Sequence, residues 1–299
     1  MKEKFNNIVN ELSKYLINNN IKAQILGISG GIDSTVCAAL CYEVSLLTGI
    51  PLIGRSLPTK FNKEGETSTA TLVGKAFCND FKEVNLDLTY RKLVYDVAFQ
   101  EGFIDNSVPF DFDKQTSKQT ALANGNIQAR LRMIYLYNLA GVHKGLVIDT
   151  DNLSEYNLGY WTIHGDVGDI KPIGNLWKTE VFELATWLTS EYYSKQYFSK
   201  VIMESIKLKP TAGLGITSND LEELGAESYE QVDEVLQSIL IYKDWATINP
   251  TQVDYMDKII KNNSLPDIPL KVVDSVSRKH FNTEYKRNNI KKFPNEILF

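Results

Sequence analysis

The run Ala23-Gln24-Ile25-Leu26-Gly27-Ile28-Ser29-Gly30-Gly31-Ile32-Asp33-Ser34-Thr35 carries an apolar stretch into two glycines, two serine hydroxyls and an aspartate. Backbone N–H groups of such a turn, with the first amides of a following helix, suit a phosphate or pyrophosphate. A Walker loop, G-x-x-x-x-G-K-[ST], needs a lysine after its second glycine, and none follows Gly31. An aspartate beside phosphates makes chemical sense with a cation between them. The loop therefore reads as a holder of Mg-bound pyrophosphate rather than a clamp on a γ-phosphate.

Four further segments carry polar chemistry. In Gly125-Asn126-Ile127-Gln128-Ala129-Arg130-Leu131-Arg132-Met133, Asn126 and Arg130 fall one helical turn apart on one face, and Arg132 points elsewhere. A guanidinium fork beside an amide suits phosphate or carboxylate, and the same spacing also fits a surface ion pair. Val147-Ile148-Asp149-Thr150-Asp151-Asn152-Leu153-Ser154-Glu155 empties an apolar run into hydroxyls and carboxylates. Asp33 and Glu155 together would suit one Mg²⁺, the alternative being an N-capped turn. Residues 162–173, with Gly165, Gly168, Asp166 and Asp169, form a polar turn of lid type. Lys209-Pro210-Thr211-Ala212 is a short loop whose threonine would face a ligand.

Placing these groups at one spot requires a parallel sheet. Strands are expected at 23–28, 51–54, 84–86 and 145–149, and helices at 35–47, 65–77, 93–99, 126–139, 179–188 and 229–242. Residues 102–119 read as a loop containing Asp105, Pro109, Asp111 and Asp113, and a turn is expected near 217–224. Continuous apolar strands alternating with helices argue an α/β fold with helices on both faces of the sheet, plus a helical C-terminal elaboration. Ligands then bind beyond the carboxyl ends of the strands, where both Ser29–Ser34 and Thr150–Glu155 fall. The basic stretch holding Arg278, Lys279, Lys286, Arg287, Lys291 and Lys292 is either a solvated end or a cover for an anionic ligand.

Composition narrows the classes. Of 299 residues, 43% are hydrophobic and 23% charged, which is globular; the net charge of −5 gives no field toward nucleic acid or anionic membrane. No apolar run approaches the roughly 18 residues of a membrane span, and no secretory pattern opens the chain, so a cytoplasmic protein is expected. Cys37, Cys41 and Cys78 lack metal-site spacing, and the first two, one turn apart, read as core.

In this order, the segments resemble the NAD synthetase family of N-type ATP pyrophosphatases, over about residues 20–290. Ser29-Gly30-Gly31-Ile32-Asp33-Ser34 resembles the S-G-G-x-D-S loop of the whole superfamily. Gly125–Met133 is similar to the G-N-x-x-A-R-x-R-M helix, which is far more specific. Asp149–Glu155 with Leu158-Gly159-Tyr160-Trp161-Thr162 resembles G-T-x-N-x-S-E…L-G-Y-x-T. Residues 165–179 resemble G-D-G-G-A-D-I-x-P-I-G-x-L-x-K-T, and Pro210-Thr211-Ala212 and Thr283-Glu284-Tyr285-Lys286-Arg287 the family's P-T-A loop and T-E-H-K-R end.

The resemblance implies an adenine nucleotide alpha hydrolase-like, Rossmann-like fold in a single synthetase domain spanning 1–299, without a glutaminase domain. It implies ATP-dependent amidation of deamido-NAD by ammonia, giving NAD, AMP and pyrophosphate through an acyl-adenylate. ATP would contact Gly27, Ile28, Ser29, Gly30, Gly31, Ile32, Asp33, Ser34, Thr150, Lys178 and Thr211. Deamido-NAD would contact Asn126, Arg130, Asp169, Tyr285 and Lys286. Asp33 and Glu155 would hold Mg²⁺, and Asp33 and Lys178 would carry the catalysis. A homodimer is implied, with its dinucleotide site near the subunit interface. Four departures stand out: Asp149 for a glycine, Ile163 for a frequent substrate-contacting lysine, a 165–169 turn one residue shorter, and Tyr285 for histidine. Rival readings are a GMP-synthetase-like ligase or a tRNA-thiolating enzyme of the same superfamily, and a non-catalytic nucleotide-binding module. Acidic net charge and helical Cys37 and Cys41 weigh against thiolation, and the paired carboxylates against a sensor.

Overall fold

The structure, a computed structural model, describes residues 1–59, 62, 64–104, 118–208, 220–245, 265 and 267–287. Among them, β1 Gln24–Gly27, β2 Leu52–Ser56, β3 Asp80–Glu83 and β4 Leu146–Ile148 form a parallel sheet in the order β3-β2-β1-β4. Leu26 of β1 aligns with Gly54 of β2 and with Ile148 of β4. The chain steps outward from β1 to β3 and then returns to the far side of β1. Strand order thus reverses between β1 and β4, and open α/β sheets bind ligands at such a crevice.

Side-chain alternation divides the core. Leu26, Leu52 and Ile148 face one layer, built by α1 Lys2–Asn18, α2 Ile32–Thr48, α3 Glu64–Phe77 and later helices. Ile25, Ile53 and Val147 face the other, under α4 Asp87–Gln100 and α5 Lys118–His143. Both faces are buried, so the inner strands read as unbroken apolar runs. After β4 come α6 Leu153–Leu158, α7 Lys178–Trp187, a π-helical turn Leu188–Tyr192 and α8 Tyr197–Lys207. Then follow α9 Asp220–Leu224, α10 Tyr229–Trp245, α11 Leu270–Asn282 and α12 Glu284–Arg287. Helices α10 and α11 build a separate apolar cluster with Leu158 and Leu224, centred on Val232, Leu236, Val272 and Val276.

Several elements depart from expectation: α4 begins at Asp87 rather than 93, α8, α11 and α12 have no expected counterpart, and α1, β3 and α5 differ as follows. Helix α1 precedes the first expected element; Phe5, Val9, Leu12 and Leu16 recur on one face and are buried against α2. Strand β3 starts at Asp80, ahead of the apolar 84–86 run, because it is an edge strand whose Lys82 and Glu83 are exposed. Pairing with β2, rather than an apolar pattern, defines it. Helix α5 begins at Lys118, well before residue 126, and runs through Gly125 without a break. The expected Asp105, Pro109, Asp111 and Asp113 loop, Thr211 with its neighbours, and Lys291 and Lys292 lie outside the described residues. No helix among those described is long and apolar enough to cross a membrane.

Candidate functional site

The turn from β1 into α2 is held by its own hydroxyls. Ser29 Oγ lies 3.0 Å from Ser34 Oγ and accepts from the Gly31 N–H at 3.2 Å. Ser34 and Thr35 hydroxyls both donate to the Gly31 carbonyl, at 3.0 and 2.9 Å. Gly30 adopts φ +88°, and a Cβ there would come within 2.4 Å of the Glu66 carbonyl oxygen. Only glycine fits this turn. Helix α2 starts at Ile32 with Gly31 as N-cap and no side-chain cap, so its first amides remain available to an anion.

Across the crevice, β4 ends at Ile148 and the chain turns into α6. Asn152 caps α6: its side chain accepts from the Glu155 N–H, and the Glu155 carboxylate accepts from the Asn152 N–H. The Asn152 side-chain Nδ2 donates to Asp33 Oδ1 at 2.9 Å, tying the two strand ends together. Lys178, at the start of α7, places Nζ 2.5 Å from Asp33 Oδ2 and 3.1 Å from Glu155 Oε1. Its backbone N–H donates to Ser154 Oγ at 2.8 Å, and Ser154 in turn donates to Asp233 of α10 at 2.5 Å. The Asp233 carboxylate also accepts from the Thr179 N–H. Burial opposes a charge on Lys178, but Asp33 and Glu155 outweigh it and raise its pKa well above the usual lysine value. Burial, then the neighbouring Asp33, pushes Glu155 up to about 7 despite the pull of Lys178.

These groups open into a cavity of about 610 Å³. Its walls include Gly27, Ile28, Ser29, Gly31, Ile32, Asp33, Ser34, Thr150, Glu155 and Lys178 at one end. Asn126, Tyr285 and Lys286 also line it. Asn126 accepts from the Thr162 hydroxyl at 2.9 Å, Lys286 Nζ donates to the Gly159 and Trp161 carbonyls at 2.6 Å each, and Tyr285 is exposed. Gly30 shapes the turn without lining the cavity. Thr211 lies outside the described residues.

Two expected contacts sit elsewhere. Arg130 is exposed on α5, outside the cavity lining, and donates to the Ile163 carbonyl at 3.1 Å. Arg132 lines the cavity instead, against the expectation that it points away; it donates to the Leu57 carbonyl at 3.0 Å and to Asn62 Oδ1 at 2.9 Å. Contact with the β2–α3 connection turns that face of α5 inward, which spacing within one helix does not disclose. Asp169 is likewise outside the lining: Oδ2 accepts from the Val147 N–H at 2.8 Å, so the carboxylate completes the edge of β4. The buried Asp149 and Asp151 form a further cluster with the half-buried Lys171 that motif reading did not single out as a unit. Asp220 and Asp233, from α9 and α10, also join the site's surroundings, and no motif marks either.

Asp33 and Glu155 offer hard oxygen donors that already share one cation, the Lys178 ammonium. This donor set fits Mg²⁺, which prefers carboxylates combined with phosphate oxygens and water. No cluster of three or more His, Cys, Asp or Glu placed to hold a metal occurs among the described residues.

A family model described as NAD synthase matches residues 4–289. The NH(3)-dependent NAD(+) synthetase of Methanocaldococcus jannaschii is 33% identical over 89% of this chain and 98% of its own length. That of Thermoplasma acidophilum is 36% identical over 82% of this chain and 87% of its own. Among solved structures, an NMN synthetase from Francisella tularensis superposes with TM-score 0.71 at 26% identity, covering 99% of this chain and 98% of that one.

Proposed function

The chain belongs to the NAD synthase family, and on that premise we propose that it amidates the nicotinate carboxylate of deamido-NAD with ammonia, consuming ATP. The observation that carries the reading is the meeting of Asp33, Glu155 and Lys178 beside the glycine turn at the β1–β4 crevice.

A carboxylate is a poor acyl donor because it would have to expel oxide. Attack of its oxygen on the α-phosphorus of ATP breaks the bond to the bridging oxygen, releases pyrophosphate and leaves an acyl-adenylate. Ammonia then attacks the carbonyl carbon, the C–O bond to AMP breaks, and one proton is lost as the amide forms. Mg²⁺, held by Asp33 and Glu155, would supply charge neutralisation at the phosphates. The amides of the turn and of α2 would hold the departing pyrophosphate, and Lys178 would neutralise charge developing on it. Ser29, Ser34, Thr150 and Thr211 would position the nucleotide, and Asn126, Tyr285 and Lys286 the second substrate. No nucleophilic side chain is required.

Arg130 and Asp169 take a different place in this reading. Both are exposed on the face carrying α5, where Ile134 and Tyr137 are exposed as well. A second copy covering this face would bring Arg130 to a shared substrate site, so the working unit is a homodimer of single-domain chains. A cytoplasmic setting is supported by three free cysteines, two of them buried.

The test is product formation by the pure protein with ATP, Mg²⁺ and deamido-NAD, comparing ammonium with glutamine. Ammonium is expected to support NAD formation and stoichiometric pyrophosphate release. Equal rates from glutamine would overturn direct ammonia use, and absence of pyrophosphate release would favour a nucleotide sensor. Replacing deamido-NAD by nicotinate mononucleotide in the same assay checks whether this chain makes NMN, the product in the name of the Francisella neighbour.

A further inference from the structure

Resting on this reading, we propose that Asp149 and Lys171 are positioning residues for the deamido substrate. Together they clamp the 162–170 turn, one wall of the cavity, onto the end of β4. The Asp149 side chain is 0% exposed. Its Oδ2 accepts from the Gly168 N–H at 2.7 Å and lies 3.2 Å from Lys171 Nζ, while Oδ1 accepts from the Asp151 N–H at 2.8 Å. Lys171 Nζ reaches Asp151 Oδ2 as well, at 3.0 Å, so one ammonium serves two carboxylates.

The backbone follows the same course. Asp149 N–H donates to the Ile170 carbonyl and Asp169 N–H to the Val147 carbonyl, each at 2.8 Å, extending the sheet edge beyond β4. A Cβ on Gly168 would lie 2.7 Å from the Asp149 nitrogen, so the turn is pressed against the strand. From there the effect reaches the cavity through Thr162, Asp166 and Gly168, all of which line it. The Thr162 N–H donates to Asp166 Oδ1 at 2.6 Å, and its hydroxyl binds Asn126. A displaced Gly168 would carry Asp166 and the Thr162–Asn126 pair with it.

A glycine at position 149 would offer no carboxylate to the turn, so the aspartate and the short turn act as one device. Removing Lys171 leaves two adjacent buried carboxylates, whereas removing charge from both partners relieves the conflict. Lys171→Met is therefore expected to raise KM for deamido-NAD by about ten-fold while KM for ATP changes by less than about three-fold. Adding Asp151→Asn to Lys171→Met should recover most of that loss, since it removes the second carboxylate while Asp149 still accepts from the Gly168 and Asp151 N–H groups. Hydrogen exchange of residues 162–170, measured without substrate, should accelerate in Lys171→Met and slow again in the double variant. Equal movement of both KM values, no recovery in the double variant, or unchanged exchange would each overturn the clamp. If Lys171→Met does not accumulate, Lys171→Arg near wild type with Lys171→Gln impaired supports it, and equal behaviour of the two overturns it. Wild-type protein inactive on deamido-NAD would instead refute the functional reading, and exchange would still judge the clamp.

Discussion

Lys178 occupies the position of a counter-ion between two carboxylates that the proposed mechanism gives to a metal. An ammonium there keeps Asp33 and Glu155 together without nucleotide, and arriving phosphates offer it a second anionic partner. Lys178→Met is expected to lower pyrophosphate release by about 10²–10³-fold, the usual cost of losing one charge-stabilising donor. Manganese titration followed by electron paramagnetic resonance should also show tighter metal binding by this variant than by wild type in the absence of ATP. Two carboxylates without a protein cation attract a divalent ion more strongly. Equal manganese affinity would mean that Lys178 does not compete for the metal place.

Helix α6 is the short element on which the site turns. It is only a turn and a half long, and isolated segments of that length do not hold together in water. The reciprocal cap between Asn152 and Glu155 starts it, and Gly159 in the left-handed region ends it. Because the Asn152 amide also binds Asp33, the cap that begins α6 orients the carboxylate on α2. Asn152→Ala is expected to cost about 1 kcal/mol of stability, readable as a lower urea midpoint. The same variant should weaken ATP-dependent activity beyond that loss, because Asp33 is freed. Asp233 acts comparably from α10, fixing the first amides of α7 so that Lys178 starts its helix at the crevice.

The layers of the fold leave one side with an apolar surface. Leu88, Leu93, Val97 and Phe99 of α4 and Ile134 and Tyr137 of α5 are exposed large hydrophobic residues on the two helices that cover one sheet face. Arg130 lies on α5 one turn before Ile134, outside this chain's cavity. Ile134 is 64% exposed, and Ile134→Glu is expected to convert the proposed dimer to monomers, read by sedimentation velocity. Loss of the dimer should raise KM for deamido-NAD more than KM for ATP, since the glycine turn lies at the β1–α2 junction of each chain. Wild-type monomers at assay concentration would remove the shared site and return Arg130 to the role of a surface residue.

The glycine turn from β1 into α2 was legible because local rules suffice: an apolar strand, Gly30 at positive φ and an uncapped helix start are written in adjacent residues. The alternating sheet and both of its covered faces followed from apolar periodicity in the same way. Strand β3 did not, since an exposed edge strand carries no apolar signature and exists through its pairing with β2. The inward turn of Arg132, the outward one of Arg130, and the service of Asp169 to a strand edge depend on which neighbour each helix or turn meets. The joining of Asp33 to Lys178, distant in the chain, likewise required the β1–β4 crevice to close around them. Residue type and spacing set which chemical groups were present and which local turns could form. Long-range packing decided which of those groups share a cavity, because only burial against other elements selects one orientation among those a helix or loop allows.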